Sequence, residues 1–135
     1  MRNMDRSLGD GGMPLLAQLG LGFERYGEGF VEGTWTPTAL ACNPFGGVHG
    51  GVYGVVFDAA MNFAVNSALE SGDRCSTLDL SYQIIRAPEA DLALAVRADV
   101  VRAARSVAFV EARITDTSGE VVARGAATWN VRRKG

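Results

Sequence analysis

Hydrophobic positions along this chain repeat with a helical period in one segment and with a period of two in several others. From about Gly50 to Leu69, small and apolar residues recur at helical spacing, and apolar residues also fill much of the remaining circumference. A helix that is apolar nearly all round is normally enclosed by other structure rather than lying on a surface. The sequence therefore predicts one long, buried central helix in this segment.

After the helix, the pattern changes to the alternation that is typical of strands. In the stretch TLDLSYQII every second residue from Leu78 to Ile84 is apolar, which predicts a half-buried strand that ends before Pro88. Three further strand segments follow, LALAVRADVV, RSVAFVEARI and VVARGAATWNV, with RAAR and DTSGE as connecting segments. Because no second helix is available for parallel crossovers, these short links favour antiparallel pairing.

The part of the chain before the helix predicts shorter elements. Residues 1–12 are polar and glycine-rich and are expected to be poorly ordered. The segment PLLAQLG predicts a short helix that Gly20 ends, and Leu21 to Thr36 is strand-like with a bend at YGEG. TPTALACNPFGG predicts a connecting loop, because its two prolines disfavour regular structure.

Taken together, these elements predict a single α+β domain spanning residues 1–135, with its core within residues 21–131. A curved antiparallel β-sheet wrapped around one long central helix satisfies the pattern. A chain of 135 residues, of which 47% are hydrophobic and 21% charged, is long enough for one such core and ordinary for a globular protein.

Charge and composition exclude several classes of partner. The formal net charge of −2 provides no basic field for nucleic acid and supports no charge-driven membrane contact. The amino-terminal segment is too acidic and too interrupted for an export signal, and polar residues break the most apolar window, so no membrane span is expected. We expect a cytoplasmic protein.

Few residues are suited to binding a metal. Cys42 and Cys75 are the only cysteines and His49 is the only histidine. Without an export signal the cysteines are expected to be reduced thiols, and two are too few for a disulfide framework or a thiolate zinc site. Catalytic zinc sites usually need two or three imidazoles or thiolates. We therefore expect no metal and no separate cofactor.

The stretch GGVHGG places His49 before two glycines at the predicted start of the helix. There the amides of Gly50 and Gly51 are among the unpaired donors of the first turn, where the helix dipole is positive. Such donors suit a carbonyl oxygen that becomes negative during acyl transfer. Two glycines otherwise weaken a helix start by about 1 kcal/mol each relative to alanine. A tight turn packed against a neighbouring segment is the alternative explanation.

Asp58 is a lone carboxylate within the apolar helix. Burying it without partners is costly, so it is either held by hydrogen bonds, from Asn62 or from a strand amide, or retained as a base or nucleophile toward an acyl carbon. Nine residues of helix separate His49 from Asp58 by roughly 13–14 Å and about half a revolution. The simplest geometry in which both serve one reaction therefore joins two subunits across a two-fold axis.

These residues resemble the hotdog-fold thioesterases, specifically the PaaI-like (phenylacetate-degradation type) branch of acyl-CoA thioesterases. The resemblance spans about Gly20 to Val131 and is carried by Asn43, by GGVHGG, by Asp58 and by the strands that follow. It implies a central helix wrapped by a curved antiparallel sheet, and homodimers, often dimers of dimers, with active sites at the subunit interface. It also implies hydrolysis of a medium-chain or aryl-acyl-CoA to the free acid and CoA, coenzyme A being part of the substrate.

The resemblance assigns catalytic roles residue by residue. Asp58 matches the carboxylate that attacks the thioester or activates water, and Gly50 matches the amide that polarises the carbonyl. His49 and Asn43 match polar groups that position the thioester or the water from the facing subunit. Thr77 matches a hydroxyl residue that helps to hold the water.

Further candidates would contact the substrate. A one-residue shift would transfer the role of Thr77 to Ser76, and Gly51 lies beside the carbonyl-polarising amide. The residues that bind the CoA phosphates vary within the family. Arg86, Arg102 and Arg105 lie at predicted strand ends where such contacts could form, and solvated edge charges are the alternative explanation.

Three other functions compete with hydrolysis. A non-catalytic acyl-CoA-binding or regulatory hotdog domain would have little use for Asp58 in an apolar helix. A hotdog dehydratase would need a different arrangement of histidine and acid. A nucleophilic pair of Cys42 and His49 would lack a third residue to orient it. The acyl group is not determined by the sequence, since the aromatic residues near the site suit either an aromatic substrate or core packing.

Overall fold

The computed structural model describes residues 2–88 and 91–135. It contains two α-helices, α1 (Pro14–Leu19) and α2 (Gly50–Ser67), and two single 3-10 turns, Asp5–Ser7 and Ala39–Ala41. The strands are β1 (Leu21–Gly27), β2 (Phe30–Trp35), β3 (Arg74–Ile84), β4 (Leu94–Ala103), β5 (Val107–Thr115) and β6 (Val121–Arg132).

All six strands form one sheet in the order β1-β2-β4-β5-β6-β3, and every neighbouring pair is antiparallel. Helix α2 lies against the inner face of this sheet and contacts all six strands. The space between them is filled by large, fully buried side chains: Trp35, Tyr53, Phe57, Met61, Ile114 and Trp129. The predicted antiparallel sheet wrapped around one central helix is confirmed.

Helix α2 begins at the predicted residue and ends two residues earlier than predicted. His49 is its N-cap, and the imidazole Nδ1 accepts a hydrogen bond from the Gly51 amide at 3.1 Å. The fully buried side of the helix faces the sheet, whereas Asp58 and Asn66 are half-buried and Asn62 is exposed. Among the helices within the described ranges, none combines the length and hydropathy needed to cross a bilayer.

Strand β3 lies at one edge of the sheet and contains a β-bulge between Thr77 and Asp79. The extra residue, Leu78, reverses the alternation of side chains. Thr77 therefore faces α2 before the bulge and Tyr82 faces it after the bulge. Leu78, which the alternation places on the apolar face, is 60% exposed. That part of the prediction is wrong because a strict period of two has no place for an inserted residue.

The glycine-rich segment before α1 packs against α2, in contrast to the expectation from its composition. Met4 is buried, and its amide donates a hydrogen bond to the Tyr26 hydroxyl at 3.0 Å. The Arg2 guanidinium donates to Asn66 Oδ1 on α2 at 2.7 Å. Because these contacts join residues far apart along the chain, local composition does not reveal them.

Candidate active site

Asp58 lies on the third turn of α2, on the side that faces β3. The Thr77 hydroxyl donates to Asp58 Oδ1 at 2.6 Å, and Asp58 Oδ2 has no hydrogen-bond partner within residues 2–88 and 91–135. The two partners considered from the sequence, Asn62 and a strand amide, form no hydrogen bond with Asp58 in the described part of the chain. Asn62 Oδ1 instead accepts from Asn66 and from the Cys75 thiol, the latter at 3.7 Å. The carboxylate is therefore half-buried, oriented by one hydroxyl, and left with one oxygen free.

The amides at the start of α2 can be accounted for one by one. The His49 amide donates to Ala41 O at 2.9 Å, the Gly51 amide to His49 Nδ1, and the Val52 amide to His49 O at 3.0 Å. For the Gly50 amide no acceptor exists among the described residues. Gly50 thus supplies the one unpaired donor among these four, at the positive end of the helix dipole.

Two residues of β3 contact the start of α2 and the Asp58 carboxylate. The Tyr82 hydroxyl donates to Gly50 O at 2.8 Å, and the Tyr82 ring packs against Phe57 with centroids 5.6 Å apart. Gly54 makes room for the tyrosine, because a Cβ there would lie 3.1 Å from the ring. Tyr82 therefore holds the start of α2, as Thr77 holds the carboxylate. The alternation placed Tyr82 on the inner face, but no sequence spacing indicated its contact with Gly50.

Capping also defines the chemical state of His49. Because Nδ1 accepts from the Gly51 amide, this nitrogen carries no hydrogen, and the neutral imidazole carries its hydrogen on Nε2. The side chain is exposed. Cys42 does not contact it: the Cys42 thiol donates to Thr38 O at 3.5 Å. The arrangement of a cysteine–histidine nucleophilic pair is therefore not present.

Asn43 organises the loop that leads into α2. Its side-chain Oδ1 accepts from the amides of Phe45 at 2.9 Å and Gly47 at 3.2 Å, and its own amide donates to Gly47 O at 2.8 Å. Gly46 adopts the left-handed conformation, with φ of 87°, that this turn requires. The Nδ2 donor of Asn43 has no partner among the described residues.

The remaining candidates are placed apart from one another. Ser76 is exposed on the opposite face of β3 from Thr77, so Thr77 is the hydroxyl residue that reaches Asp58. Arg86, just after β3, forms ion pairs with Asp116 and Glu120. Arg102 and Arg105 are exposed at the opposite end of the sheet, in the β4–β5 hairpin. The structure does not bring the three arginines together.

Two cavities differ in their position relative to the candidate site. One of about 470 Å³ opens beside the start of α2 and is lined by Gly47, Val48, Tyr53 and Ile84 among others. A larger one of about 640 Å³ lies on the outer face of the sheet, away from Asp58. No group of three or more His, Cys, Asp or Glu side chains in the described ranges is arranged to hold a metal ion.

The aromatic residues near the site are mostly core residues. Tyr53, Phe57 and Phe63 are buried, whereas Phe45 is exposed in the loop before α2. Burial raises the pKa of the Tyr53 hydroxyl, and it likewise raises the pKa of the Cys75 thiol. Core packing therefore accounts for three of the four aromatic residues.

Comparisons with known proteins identify the family and the fold. The family model described as the thioesterase superfamily matches residues 45–123. A phenylacetic acid degradation-related protein of Ralstonia eutropha JMP134 is 30% identical, with 87% of this chain and 89% of that chain covered and a TM-score of 0.78. No curated protein matches the chain.

Two solved structures of lower identity share the fold. Escherichia coli PaaI, from the phenylacetic acid degradation operon, is 23% identical over 92% of this chain and 86% of that chain, with a TM-score of 0.79. A hypothetical thioesterase of Streptococcus pneumoniae TIGR4, solved with coenzyme A, is 24% identical over 83% and 87%, with a TM-score of 0.75. The chain belongs to the thioesterase superfamily and is a PaaI-like thioesterase with the hotdog fold.

Proposed function

We propose that this thioesterase hydrolyses an acyl-CoA with a medium-chain or aryl acyl group to the free acid and CoA. The observation that carries the proposal is the presence, on one helix, of a carboxylate held by Thr77 and a helix-terminal amide with no acceptor. Thioester hydrolysis needs both a base or nucleophile and a donor for the carbonyl oxygen. Coenzyme A enters as part of the substrate, and the reaction needs no further cofactor.

Asp58 has one oxygen available for the chemistry. In the route through water, Asp58 Oδ2 takes a proton from water, the water oxygen adds to the thioester carbon, and the Gly50 amide stabilises the resulting oxyanion. Collapse of this intermediate expels the CoA thiolate, which takes up a proton. In the direct route the carboxylate itself attacks, CoA leaves, and water hydrolyses the mixed anhydride. Both routes give the same products.

A single subunit cannot bring these two groups together. Gly50 and Asp58 are eight residues apart on α2, about 12 Å along the helix axis. Strand β3, which contacts both through Tyr82 and Thr77, is 11 residues long and pairs with only one strand in the described part of the chain. A free edge of this kind is a template for pairing with another chain.

Pairing β3 with β3 of a second copy would complete the site. Apart from the bulged residue, Leu80 lies midway between Thr77 and Tyr82 on β3. An antiparallel pair with its two-fold axis near Leu80 would therefore set Thr77 opposite Tyr82 of the partner subunit, and Asp58 beside Gly50 of the partner subunit. We accordingly propose a homodimer, with the dimer of dimers that the family resemblance implies.

The other site residues have supporting roles in this proposal. His49 and Asn43 offer unpaired donors, Nε2–H and Nδ2–H, near the helix start, where they would position the carbonyl group or the water. Gly51 has no side chain and so lets the substrate approach the helix end closely. Ser76 faces away from α2, and this proposal assigns it no part in the reaction.

The cavity beside the start of α2 fits the proposed acyl group. Its volume of about 470 Å³ is in the range of small-molecule sites, and apolar side chains such as Val48 and Ile84 contribute to its lining. Such a cavity would accommodate a medium-chain or aryl group next to the Gly50 end of the helix.

The proposal is tested by release of free thiol from a panel of acyl-CoAs. Asp58→Asn should lower kcat by roughly 10²–10⁴-fold, the contribution expected of a positioned base. Glu28→Gln is the control, because it removes an exposed carboxylate in the turn between β1 and β2 that forms no hydrogen bond or ion pair within the described residues, and it should leave kcat unchanged. Equal rates for wild type and Asp58→Asn would remove Asp58 from the mechanism. A wild-type protein that bound acyl-CoAs but released CoA from none of them would instead be a binding domain.

A further inference from the structure

The cavity beside the start of α2 contains a buried polar group that has no partner. Tyr53 is 2% exposed, and it is the one buried residue among the described residues that line this cavity. Its hydroxyl forms no hydrogen bond within residues 2–88 and 91–135. A buried tyrosine hydroxyl normally has a partner, since leaving it unpaired is costly. Core packing explains the ring of Tyr53, but it does not explain why the ring carries a hydroxyl.

The hydroxyl of Tyr53 is open to the cavity. Trp129 Nε1 shows the opposite case, because it is buried without a partner and is enclosed by protein on all sides. The Tyr53 hydroxyl also lacks a partner but is not enclosed in this way, so the small exposed part of the side chain includes its oxygen. Since Tyr53 lines the cavity of about 470 Å³, a molecule bound there can reach the hydroxyl.

The ring of Tyr53 is held in place by its neighbours. Trp35 is fully buried and packs edge-on against it, with ring centroids 5.3 Å apart and an angle of 88° between the planes. Trp35 is held in turn, because its indole N–H donates to Leu19 O at 2.9 Å. The hydroxyl therefore has a defined position before any ligand binds, which reduces the entropic cost of binding.

The other polar side chains of the cavity lining are either paired or exposed. The Thr38 hydroxyl donates to Gln18 O at 2.5 Å, and the Cys42 thiol donates to Thr38 O at 3.5 Å. The Arg86 guanidinium forms ion pairs with two carboxylates, and Asp91 is exposed. In the described lining, Tyr53 is therefore the buried polar side chain that is free to bind a ligand.

The cavity begins next to the proposed oxyanion donor. Tyr53 follows Gly50 by three residues, close to one helical turn, and helical side chains lean toward the amino terminus. Ile84 connects the two positions, because its Cδ1 would lie 3.7 Å from a Cβ on Gly50 and its side chain also lines the cavity. A thioester whose carbonyl oxygen accepts from the Gly50 amide would thus extend its acyl group into the cavity, within reach of Tyr53.

The hydroxyl of Tyr53 can both donate and accept. Burial raises the pKa of Tyr53 above its ordinary value, so the phenol keeps its hydrogen in neutral solution. A neutral phenol pairs equally well with a hydroxyl group or a keto oxygen. A hydrocarbon chain in the same place would exclude water from the hydroxyl and leave it unpaired, which is unfavourable.

We infer that Tyr53 is a specificity residue whose hydroxyl binds an oxygen atom on the acyl chain, so that the enzyme prefers an acyl chain with a hydroxyl or keto group to a plain hydrocarbon chain. The inference rests on the hydrolysis proposed above and narrows its substrate class. The contact is remote from the reacting carbonyl and is made equally in the ground state and the transition state. It therefore acts on KM rather than on kcat.

The test compares thioesters in which a methyl group replaces the oxygen. 6-Hydroxyhexanoyl-CoA is paired with heptanoyl-CoA, and 5-oxohexanoyl-CoA with 5-methylhexanoyl-CoA. These chains place the oxygen roughly 5 Å beyond the carbonyl carbon, about one helical turn. In wild type, KM should be about tenfold lower for the oxygenated member of at least one pair, as expected for one buried hydrogen bond. In Tyr53→Phe, KM should rise for that member and fall for its methyl counterpart.

Tyr26→Phe is the matched control, because it removes the hydroxyl of a tyrosine that does not line the cavity. The Tyr26 hydroxyl donates to Asp5 at 2.8 Å and accepts from the Met4 amide at 3.0 Å. This variant should have a lower melting temperature and keep the wild-type ratio of KM values within each pair. Tyr53→Phe removes no hydrogen bond within the described residues, so its melting temperature should not fall.

Binding of thioethers keeps the inference separate from the proposed function. S-heptyl-CoA and S-(6-hydroxyhexyl)-CoA have no carbonyl group and cannot be hydrolysed, so calorimetry measures their binding alone. Wild type should bind the hydroxylated thioether about tenfold more tightly, and Tyr53→Phe should show no such preference. Equal affinities in wild type, or a preference that persists in Tyr53→Phe, would overturn the role of Tyr53 even if hydrolysis is normal. If wild type hydrolysed no thioester, the proposed function would fail, and the thioether titration would still decide the role of Tyr53.

Discussion

The backbone N–H of Gly50 can be removed by substitution with proline while α2 stays folded. Gly50 is the first residue of α2, the position at which proline is favoured because the helix does not use that N–H. His49 already has φ of −63° and ψ of 132°, an extended conformation that a residue before proline adopts. The substitution Gly50→Pro should therefore delete the proposed oxyanion donor without unfolding α2.

The expected effect is large. Loss of one donor to a developing oxyanion costs roughly 2.7–4 kcal/mol, so Gly50→Pro should lower kcat by about 10²–10³-fold. Gly50→Ala is the control, because it keeps the amide and its Cβ would lie 3.7 Å from Ile84 Cδ1, an ordinary contact. Alanine should leave kcat within a few-fold of wild type and keep or raise the melting temperature.

Thiol-release kinetics on the best acyl-CoA, with circular dichroism melting of each variant, measure both effects. A folded proline variant whose kcat matched that of the alanine variant would refute the role of this amide.

The same variant tests whether the site is shared between subunits. In a mixed dimer of Asp58→Asn and Gly50→Pro subunits, one of the two sites would combine an intact Asp58 with an intact Gly50 amide. Random reassortment of the two inactive proteins should therefore restore about a quarter of the wild-type activity. A site built within one subunit would stay inactive in every combination, and no activity would return.

Three further results are expected. Thr77→Val removes the hydrogen bond to Asp58 at nearly constant volume, and kcat should fall roughly ten- to hundredfold in the thiol-release assay. Tyr82→Phe removes the hydrogen bond to Gly50 O and should lower the free energy of unfolding by about 1 kcal/mol in denaturant titrations. The pKa of Asp73 lies below its ordinary value in the folded protein, chiefly because the Lys134 amide donates to the carboxylate. The stabilising effect of Asp73 should therefore be complete above about pH 4 and be lost as the pH falls through the folded pKa. Melting temperatures of wild type and Asp73→Asn should accordingly differ most above pH 4 and converge in more acidic solution.

The central helix and the strands could be predicted because each has a distinct hydrophobic period. The start of α2 at Gly50 followed from the glycines and from the apolar pattern after them, and the four strands after the helix followed from alternation. Asp58 could be singled out because a lone carboxylate contrasts with its apolar neighbours. Each of these signals depends only on residues that are close together along the chain, so it can be read from the sequence.

What could not be predicted depends on pairing between distant segments. Nothing in the alternation of β3 shows that it lies at the edge of the sheet, or that Leu78 is an inserted residue. The choice between Ser76 and Thr77 depends on that insertion and so stayed open. The contact between Arg2 and Asn66 likewise joins the two ends of a long stretch of chain, which composition does not record.

The exposure of Leu78 indicates a competition between two registers of the same strand. In a regular β3 the pattern would turn Leu78 toward α2, where full burial of a leucine is worth about 1.5–3 kcal/mol, and would bring Ser76 in place of Thr77 beside the carboxylate. The chain nonetheless adopts the bulged register, in which a threonine hydroxyl reaches Asp58 and a leucine remains in contact with solvent. A polar residue at position 78 would gain no burial energy from the regular register. The bulged geometry of β3 should therefore be retained when the Leu78 side chain is replaced.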